Sequence, residues 1–513
     1  MISPSQTPIK AMTLHRGTDE RRSPQCRMPF SPSTDTPKGG VISLRRVFVI
    51  AVLCGIALLL VARRLEWAES GATPRQSNAR TFSVLLPERV RPLPEPLSPK
   101  PAVPSFKFRG MKGWAWVPGQ YLAEIPVMSK YKMNFLMNCY TSLWDLEVHG
   151  TWARMPASNS NHWYRPLPEA KRQGFERVVR ECQKHGITFC FSVNPNLSSD
   201  RPFDYGDAKD LEALWQHYAW MQSLGVRWFN VSLDDISQRI DAAGQAKLVN
   251  AILRRLREKD PQAHMLFTPT WYAGPNGSEG ESSPRLGTGD TPGVRYIREL
   301  AEKLDPDVYL FWTGPEVIPL TITAEGAEEY QRLSKHHLFI WDNYPVNDQN
   351  PTMHLGPLMG RDPQLARAVE GFVANAQSPQ NEANRIPLLT IADYMWNPEA
   401  YDPARSIGQS IEHLCQTREQ RQSLKDLVEL YPGRLADGSL STAWNSLRSR
   451  FRAVLDKDSA QAAMDVIKNA ESVSRRMAEV FPSEFVLARR TLDADIAGMR
   501  EEFAKKNPSA KGL

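Results

Sequence analysis

The stretch RWFNVSLDDIS, residues 227–237, is apolar and alternating over its first seven positions and then ends in two adjacent carboxylates, Asp234 and Asp235. Residues 227–233 have the composition of a buried β-strand. Asp235 with Gln238 three residues later has the form of a capping box ahead of a helical pattern at 239–254. A cap needs one carboxylate, however, and two neighbouring ones repel. The pair asks for a second reason.

Working outward, seven more segments have the same make-up: FKFRGMKGW (106–114), MNFLMNCY (133–140), ITFCFSV (187–193), HMLFTPT (264–270), DVYLFWTG (307–314), HLFIWDNY (337–344) and IPLLTIADY (386–394). Helical faces lie between them. Phe175, Val178, Val179 and Cys182 share one side of 169–185 before Gly186, and Leu211, Leu214, Tyr218 and Met221 share one side of 209–224 before Gly225. Further helical patterns cover 240–257, 294–304, 322–334 and 363–374. Eight strand–helix alternations predict an α/β fold, a (β/α)8 TIM-like barrel over residues 106–402, with its active site at the C-terminal strand ends.

That fold puts Asp234 and Asp235 in the barrel mouth. Equivalent strand ends carry Asn194 and Asn196, then Tyr272, then Asp342, Asn343, Asn347 and Asp348, and finally Asp393 with Asn397. Trp271, Trp312, Trp341 and Trp396 are interspersed among them. Carboxamides suit sugar hydroxyls and indoles suit the apolar faces of sugar rings, so the ring of residues reads as a carbohydrate site.

Beyond residue 402 the pattern is purely helical, with amphipathic stretches at 405–430, 442–456, 459–480 and 484–505, and predicts a C-terminal α-helical bundle domain over 403–513. Ahead of the barrel, residues 1–44 are a Ser/Thr/Pro-rich basic tail expected to be disordered. Residues 45–67 are a transmembrane or signal-anchor segment built on the 16 uncharged apolar residues 47–62. Eight Lys/Arg precede that run, which places the N-terminus in the cytoplasm and the catalytic part outside it, periplasmic or extracellular. Residues 68–105 form a linker, with seven prolines between 87 and 104 that favour an extended spacer. Residues 1–80 hold 12 Lys+Arg against 5 Asp+Glu, leaving 51 against 52 for the rest, so the globular part is neutral and carries no nucleic-acid footprint. The six cysteines are too sparse for a disulfide scaffold and none has metal-ligand spacing with histidine, so no metal and no cofactor are expected.

FNVSLDDIS, FTPTWY, FWTGPEV, WDNYPVND, LGPLMGR, NEANRIPL and IADYMWNP, in this order and spacing over 106–410, resemble family 84 glycoside hydrolases, the β-N-acetylglucosaminidases that include the O-GlcNAcases. The resemblance implies removal of terminal N-acetylglucosamine by substrate-assisted retaining hydrolysis, in which the 2-acetamido oxygen is the nucleophile. It implies that Asp234 polarises the acetamido group and that Asp235 is the general acid/base. It further implies that Tyr272 and Asn343 line the acetamido pocket, that Trp341 packs on its methyl, that Asp348 and Asn375 bind the 4- and 6-hydroxyls, and that Gly110 meets the sugar through its backbone. Two departures stand out. A lysine of the family after the second strand is Leu143 here, in CYTSLWD, and the pattern of the first strand has become RGMKGWAW, with Arg109 in an acidic position. Leu143 and Trp144 are expected to pack on a sugar face, and Arg109 with Lys112 to favour an extended or acidic N-acetylated glycan. The alternatives are an endo-acting or hyaluronan-type hydrolase and a non-catalytic surface glycan-binding protein.

Overall fold

The computed structural model describes residues 105–507, apart from 145–160, 237, 275–288, 348–351, 379, 437–438, 446 and 458. The N-terminal tail, the apolar run 47–62, the linker to 104 and Asp348 therefore lie outside the described residues. Among the described residues no helix is long and apolar enough to cross a membrane.

Eight parallel strands close in sequence order: β1 (Phe108–Gly113), β2 (Phe135–Asn138), β3 (Thr188–Val193), β4 (Trp228–Ser232), β5 (His264–Thr268), β6 (Tyr309–Trp312), β7 (Leu338–Pro345) and β8 (Gly371–Ala376), with β8 returning to β1. The intervening helices are α1 (Pro118–Lys130), α2 (Glu169–Lys184), α3 (Ala208–Ser223), α4 (Ala242–Lys259), α5 (Pro292–Lys303), α6 (Ala324–Ser334) and the single turn α7 (Leu365–Ala368). The molecule is thus the (β/α)8 barrel that the alternation predicts.

Side-chain parity sorts the apolar residues into two clusters. Leu136, Phe189, Phe191, Phe229, Val231, Met265 and Phe267 face outward and pack against the helices. Phe135, Met137, Cys190, Trp228, Leu266, Phe311, Phe339 and Val373 face inward. At the N-terminal end Phe108, Trp228 and Phe339 close the floor, with Phe108 4.7 Å from Trp228 and 5.4 Å from Phe339. Above this floor the inner face of β4 turns polar. The Asn230 amide donates to the Ser192 and Ser232 hydroxyls, and Ser232 donates to Thr268. This satisfied network is the platform beneath Asp234.

The eighth strand is not where the sequence pattern put it. Residues 386–394 lie inside helix α8 (Asn381–Trp396), and β8 is GFVANA at 371–376, in a region read as helix 363–374. α8 is buried on nearly every side, wedged between the barrel and the C-terminal helices. A helix without a wet face shows no amphipathic period and reads like a buried strand. A buried, two-pronged ion pair between Glu124 of α1 and Arg385 of α8 (2.8 and 3.1 Å) fixes it. α1 itself escaped the sequence reading for the same reason, being apolar on several faces and interrupted by Pro126.

The C-terminal part contains α9 (Pro403–Leu414), α10 (Arg418–Leu430), α11 (Leu447–Leu455), α12 (Ala460–Val480) and α13 (Val486–Lys506). It is not purely helical: β9 (Gly433–Ala436) and β10 (Ser439–Asn445) pair antiparallel between α10 and α11. The stretch read as one helix at 405–430 is two, because Thr417 accepts from the Gln420 backbone and starts a new capped helix.

Candidate active site

Alternation along β4 directs Trp228, Asn230, Ser232 and then Asp234 into the barrel. By the same count Asp235 should point away. It does not, because its backbone takes the left-handed conformation, φ 57°, which re-aims the chain at that residue. Both carboxylates therefore reach one cleft. Helix α4 begins only at Ala242, so Asp235 caps nothing and the capping-box reading falls.

Each carboxylate is held by a tyrosine hydroxyl. Tyr140, just beyond β2, donates to Asp234 Oδ2 at 2.6 Å, and Tyr272, beyond β5, donates to Asp235 Oδ1 at 2.8 Å. The Asn194 amide donates to the Asp234 backbone oxygen at 3.0 Å. Asp234 is buried, whereas Asp235 is partly exposed towards the mouth. Burial, and then the charge of Asp235, push Asp234 up to about 7, against the opposing pull of the Lys112 ammonium and the Tyr140 hydrogen bond. Burial also raises Asp235, opposed by Tyr272 and Lys112. The two share a site in which one stays protonated near neutrality, as a pair and not as independent acids.

Lys112 and Trp114 of the β1 end, Thr268, Val317 and Ile318 beyond β6, Trp341 and Asn343 of β7 and Asn375 of β8 complete the lining. The Trp341 indole N–H donates to Asn343 Oδ1 at 2.8 Å, the Asn375 amide donates to the same oxygen at 2.8 Å, and the Asn343 amide donates to the Val317 carbonyl at 2.8 Å. Asn375 thus reaches the cleft from the true eighth strand, although the sequence pattern had placed its neighbours in a helix.

Other expectations dissolve. Gly110 lies on the inner face one layer below Lys112, and a Cβ there would come within 2.0 Å of the Phe135 carbonyl oxygen, so it serves strand packing and does not line the cleft. Leu143 is wholly buried in the outer core and Trp144 is edge-on to His217 at 5.6 Å, so neither faces a sugar. Arg109 turns outward, donating to the Lys132 and Phe106 carbonyls and lying over Trp396. Of the four tryptophans only Trp341 lines the cleft; Trp312 donates to the Gly274 carbonyl and stacks on Tyr330. Asp342 faces out and is clamped by Arg361 at 2.7 and 2.8 Å, Asn347 fixes the Ser378 backbone, and Asp393 sits on α8. Sequence reasoning in turn missed Tyr140 as a site residue. Its signal was its place, two residues past the end of β2.

The chain's pattern of residues matches the β-N-acetylglucosaminidase family over positions 154–429, more than half of its length. The chain belongs to that family, among the family 84 glycoside hydrolases. The mouse and rat proteins called Protein O-GlcNAcase are each 26% identical to it over 269 residues, 49% of this chain but 27% of theirs, so the chain spans about a quarter of the length of these curated relatives. The solved structure of a mutant O-GlcNAc hydrolase from Thermobaculum terrenum superimposes with a TM-score of 0.59 at 21% identity, covering 80% of this chain and 86% of that one. The structure of CpGH84B gives a TM-score of 0.56 at 24% identity, covering 79% and 68% respectively. At these identities the two structures show a shared fold. The family match begins after β2, and so omits the strands that deliver Lys112 and Tyr140 to the cleft.

Proposed function

We propose that this family member hydrolyses β-linked terminal N-acetylglucosamine from glycoconjugates by substrate-assisted retention. One observation carries the reading: the only carboxylates among the described lining residues sit side by side at the end of β4. Glycosidases with an enzyme nucleophile or a base-activated water set two carboxylates across the scissile bond. A pair on one side suits a reaction whose nucleophile is the substrate's own acetamido oxygen.

In that reaction Asp234, ionised, accepts a hydrogen bond from the acetamido N–H and stabilises the positive charge that develops as its oxygen attacks the anomeric carbon. Asp235, nearer the mouth, gives its proton to the departing glycosidic oxygen and then takes one from the water that opens the oxazoline. Proton transfer of this kind contributes about 10²–10⁴-fold. Tyr272 and Asn343 line the acetamido end, Trp341 offers its indole face to the methyl, and Asn375 with Asp348 reads the outer hydroxyls. Residues 106–402 are the catalytic barrel and 403–513 an appended, mainly helical domain. We further infer, from the apolar run 47–62 and the prolines behind it, an anchor that holds the barrel outside the cytoplasm.

The test is turnover of a chromogenic β-N-acetylglucosaminide beside the matching β-glucoside. Hydrolysis of the first alone is expected. Equal hydrolysis of both would reject participation of the acetamido group, and hydrolysis of neither would favour a glycan-binding protein.

A further inference from the structure

We infer that Lys112 determines which sugar the cleft accepts: its ammonium and the Asn375 side-chain oxygen together bind one hydroxyl on the edge of the terminal sugar remote from the scissile bond. The inference rests on the hydrolase reading above and adds to it a residue that lies ahead of the family match.

Position comes first. Lys112 pairs in register with Asn375 across β1 and β8. In a closed barrel of eight strands β8 stands half a turn from β4, which ends in the aspartates, and β1 stands three strands from it. A pyranose with its anomeric carbon at Asp235 extends its opposite edge, the one bearing the outer hydroxyls, towards β1 and β8.

Lys112 also has unmet bonding capacity. It is fully buried, yet its Nζ is 3.7 Å from Cys139 Sγ and otherwise faces rings, 3.4 Å from the centroid of Trp341 and 5.2 Å from that of Tyr140. The buried guanidinium groups of Arg361 and Arg385 each hold a carboxylate in two prongs, whereas no ion pair to Lys112 occurs among the described residues. Thiol and ring faces are weak acceptors for an ammonium with three N–H donors. A buried cation so placed gains from any oxygen acceptor that enters.

The acceptor beside it is fixed by a chain of amides. The Val317 carbonyl can only accept and the Trp341 indole N–H can only donate, so Asn343 must turn its nitrogen to the first and its oxygen to the second. That oxygen then draws the Asn375 nitrogen, leaving Asn375 Oδ1 buried at the cleft wall with no hydrogen-bond partner. One donor and one acceptor on the same wall match a hydroxyl, which accepts from the first and donates to the second. An anionic substituent would satisfy Lys112 but face Asn375 Oδ1 and the aspartates.

The cleft also shows what must move. Its open volume is about 40 Å³, and Lys112 and Trp341 form part of its wall. The Lys112 stem is flexible, and its ammonium rests on the indole face that a ring or methyl would need. Binding lifts the ammonium from Trp341 onto the hydroxyl, so the same movement opens the apolar face and makes the polar contact.

The experiment measures, by calorimetry, binding of an alkyl β-C-glycoside of N-acetylglucosamine, whose C–C linkage cannot be hydrolysed, and of its 3-, 4- and 6-deoxy analogues, to the full chain and to Lys112→Met. The parent ligand is expected to bind Lys112→Met about 10- to 100-fold more weakly, the loss typical of a charge-assisted hydrogen bond. One deoxy analogue should show that same weakness on the natural chain and be indifferent to the substitution. An equal loss for all four ligands, tighter binding by Lys112→Met, or no binding by the natural chain overturns the inference. Should the variant not fold, the natural chain decides alone: deoxy analogues that all bind as well as the parent overturn it. Turnover of the chromogenic substrate is scored separately. Lysine-dependent discrimination without turnover sinks the hydrolase reading and spares Lys112, while turnover without discrimination does the reverse.

Discussion

Asp235 occupies a backbone region that costs a non-glycine residue of order 1–3 kcal/mol, and Asp and Asn tolerate it better than most. Asparagine is therefore the substitution that isolates chemistry from backbone. Asp235→Asn should cost about 10²–10⁴-fold on glycosides with poor leaving groups and far less on activated aryl glycosides, which need no acid. Asp234→Asn should depress both classes, since it weakens the acetamido nucleophile itself. Steady-state kcat/KM on one substrate of each class separates the two patterns, and small equal losses at both positions would sink the assignment. The pH profile follows from the same pair. Burial raises both carboxyls, so Asp235 holds the proton that it must deliver to a higher pH than an ordinary aspartate does. The alkaline limb of kcat/KM should therefore lie above the ordinary carboxylate range. Lys112→Met removes a positive charge that lowers both groups, so it should move this limb to higher pH in whatever activity the variant retains.

Among the elements, β1 is tightly constrained at Gly110. Gly110 has no Cβ because the Phe135 carbonyl and side chain occupy its space at 2.0–2.8 Å. Gly110→Ala must push β1 away from β2 at the level below Lys112. Overpacking of this kind typically costs about 1–3 kcal/mol, more where backbone is the obstacle. Urea unfolding should show a lowered midpoint, and ligand affinity should drop with it because Lys112 and Trp114 ride on the same strand. Elements with one wet face, such as α2, were legible in the sequence from their period alone. α8 was not, since fourteen of its sixteen residues are buried and nothing in its pattern distinguishes helix from strand. β8, GFVANA, was hidden in turn by its alanines and glycine, which carry little strand preference, although Gly371 leaves the room that Phe339 and Phe108 fill.

At the level of the whole molecule, α8 joins barrel to C-terminal helices through Glu382. Its carboxylate accepts the Phe485 backbone N–H at 2.5 Å ahead of α13, while its other oxygen has no partner. Burial first, and the nearby Glu484 and Glu124, raise it to about 7 against the pull of Arg385. A carboxyl raised in the folded state favours folding fully below its unfolded value, near 4.3, and loses that contribution as pH climbs towards 7. Glu382→Gln should therefore stabilise the protein at pH 8, by up to about 3 kcal/mol, with the gain vanishing near pH 4.5. Denaturant titrations at the two pH values check this, and a gain at the acidic end would contradict it. The proposed anchor is tested by deleting residues 1–85, which should leave a soluble, folded and active protein. An insoluble or unfolded product, with the full chain sound, would mean that residues 47–62 pack into the barrel.

Alternation and a repeated strand–helix spacing are local properties, so the barrel and the family could be read along the chain, and with the barrel the place of the two aspartates at the end of β4. Strand ends pointed to Tyr272 and Asn343, and the family resemblance added Asn375, whose motif survives although its element was misread. Which polar strand ends share one cleft was settled by the closed barrel alone. Asp342 and Asn343 are neighbours in sequence, yet strand parity sends one to Arg361 outside the barrel and the other to the cleft. Likewise Arg109 and Lys112 look like one positive cluster in the sequence, but three positions along a strand put them on opposite faces, and Lys112 alone meets the aspartates' cleft. Inward and outward are defined only once the sheet has closed, which is why a lysine in an apolar strand could be seen in the sequence but not placed.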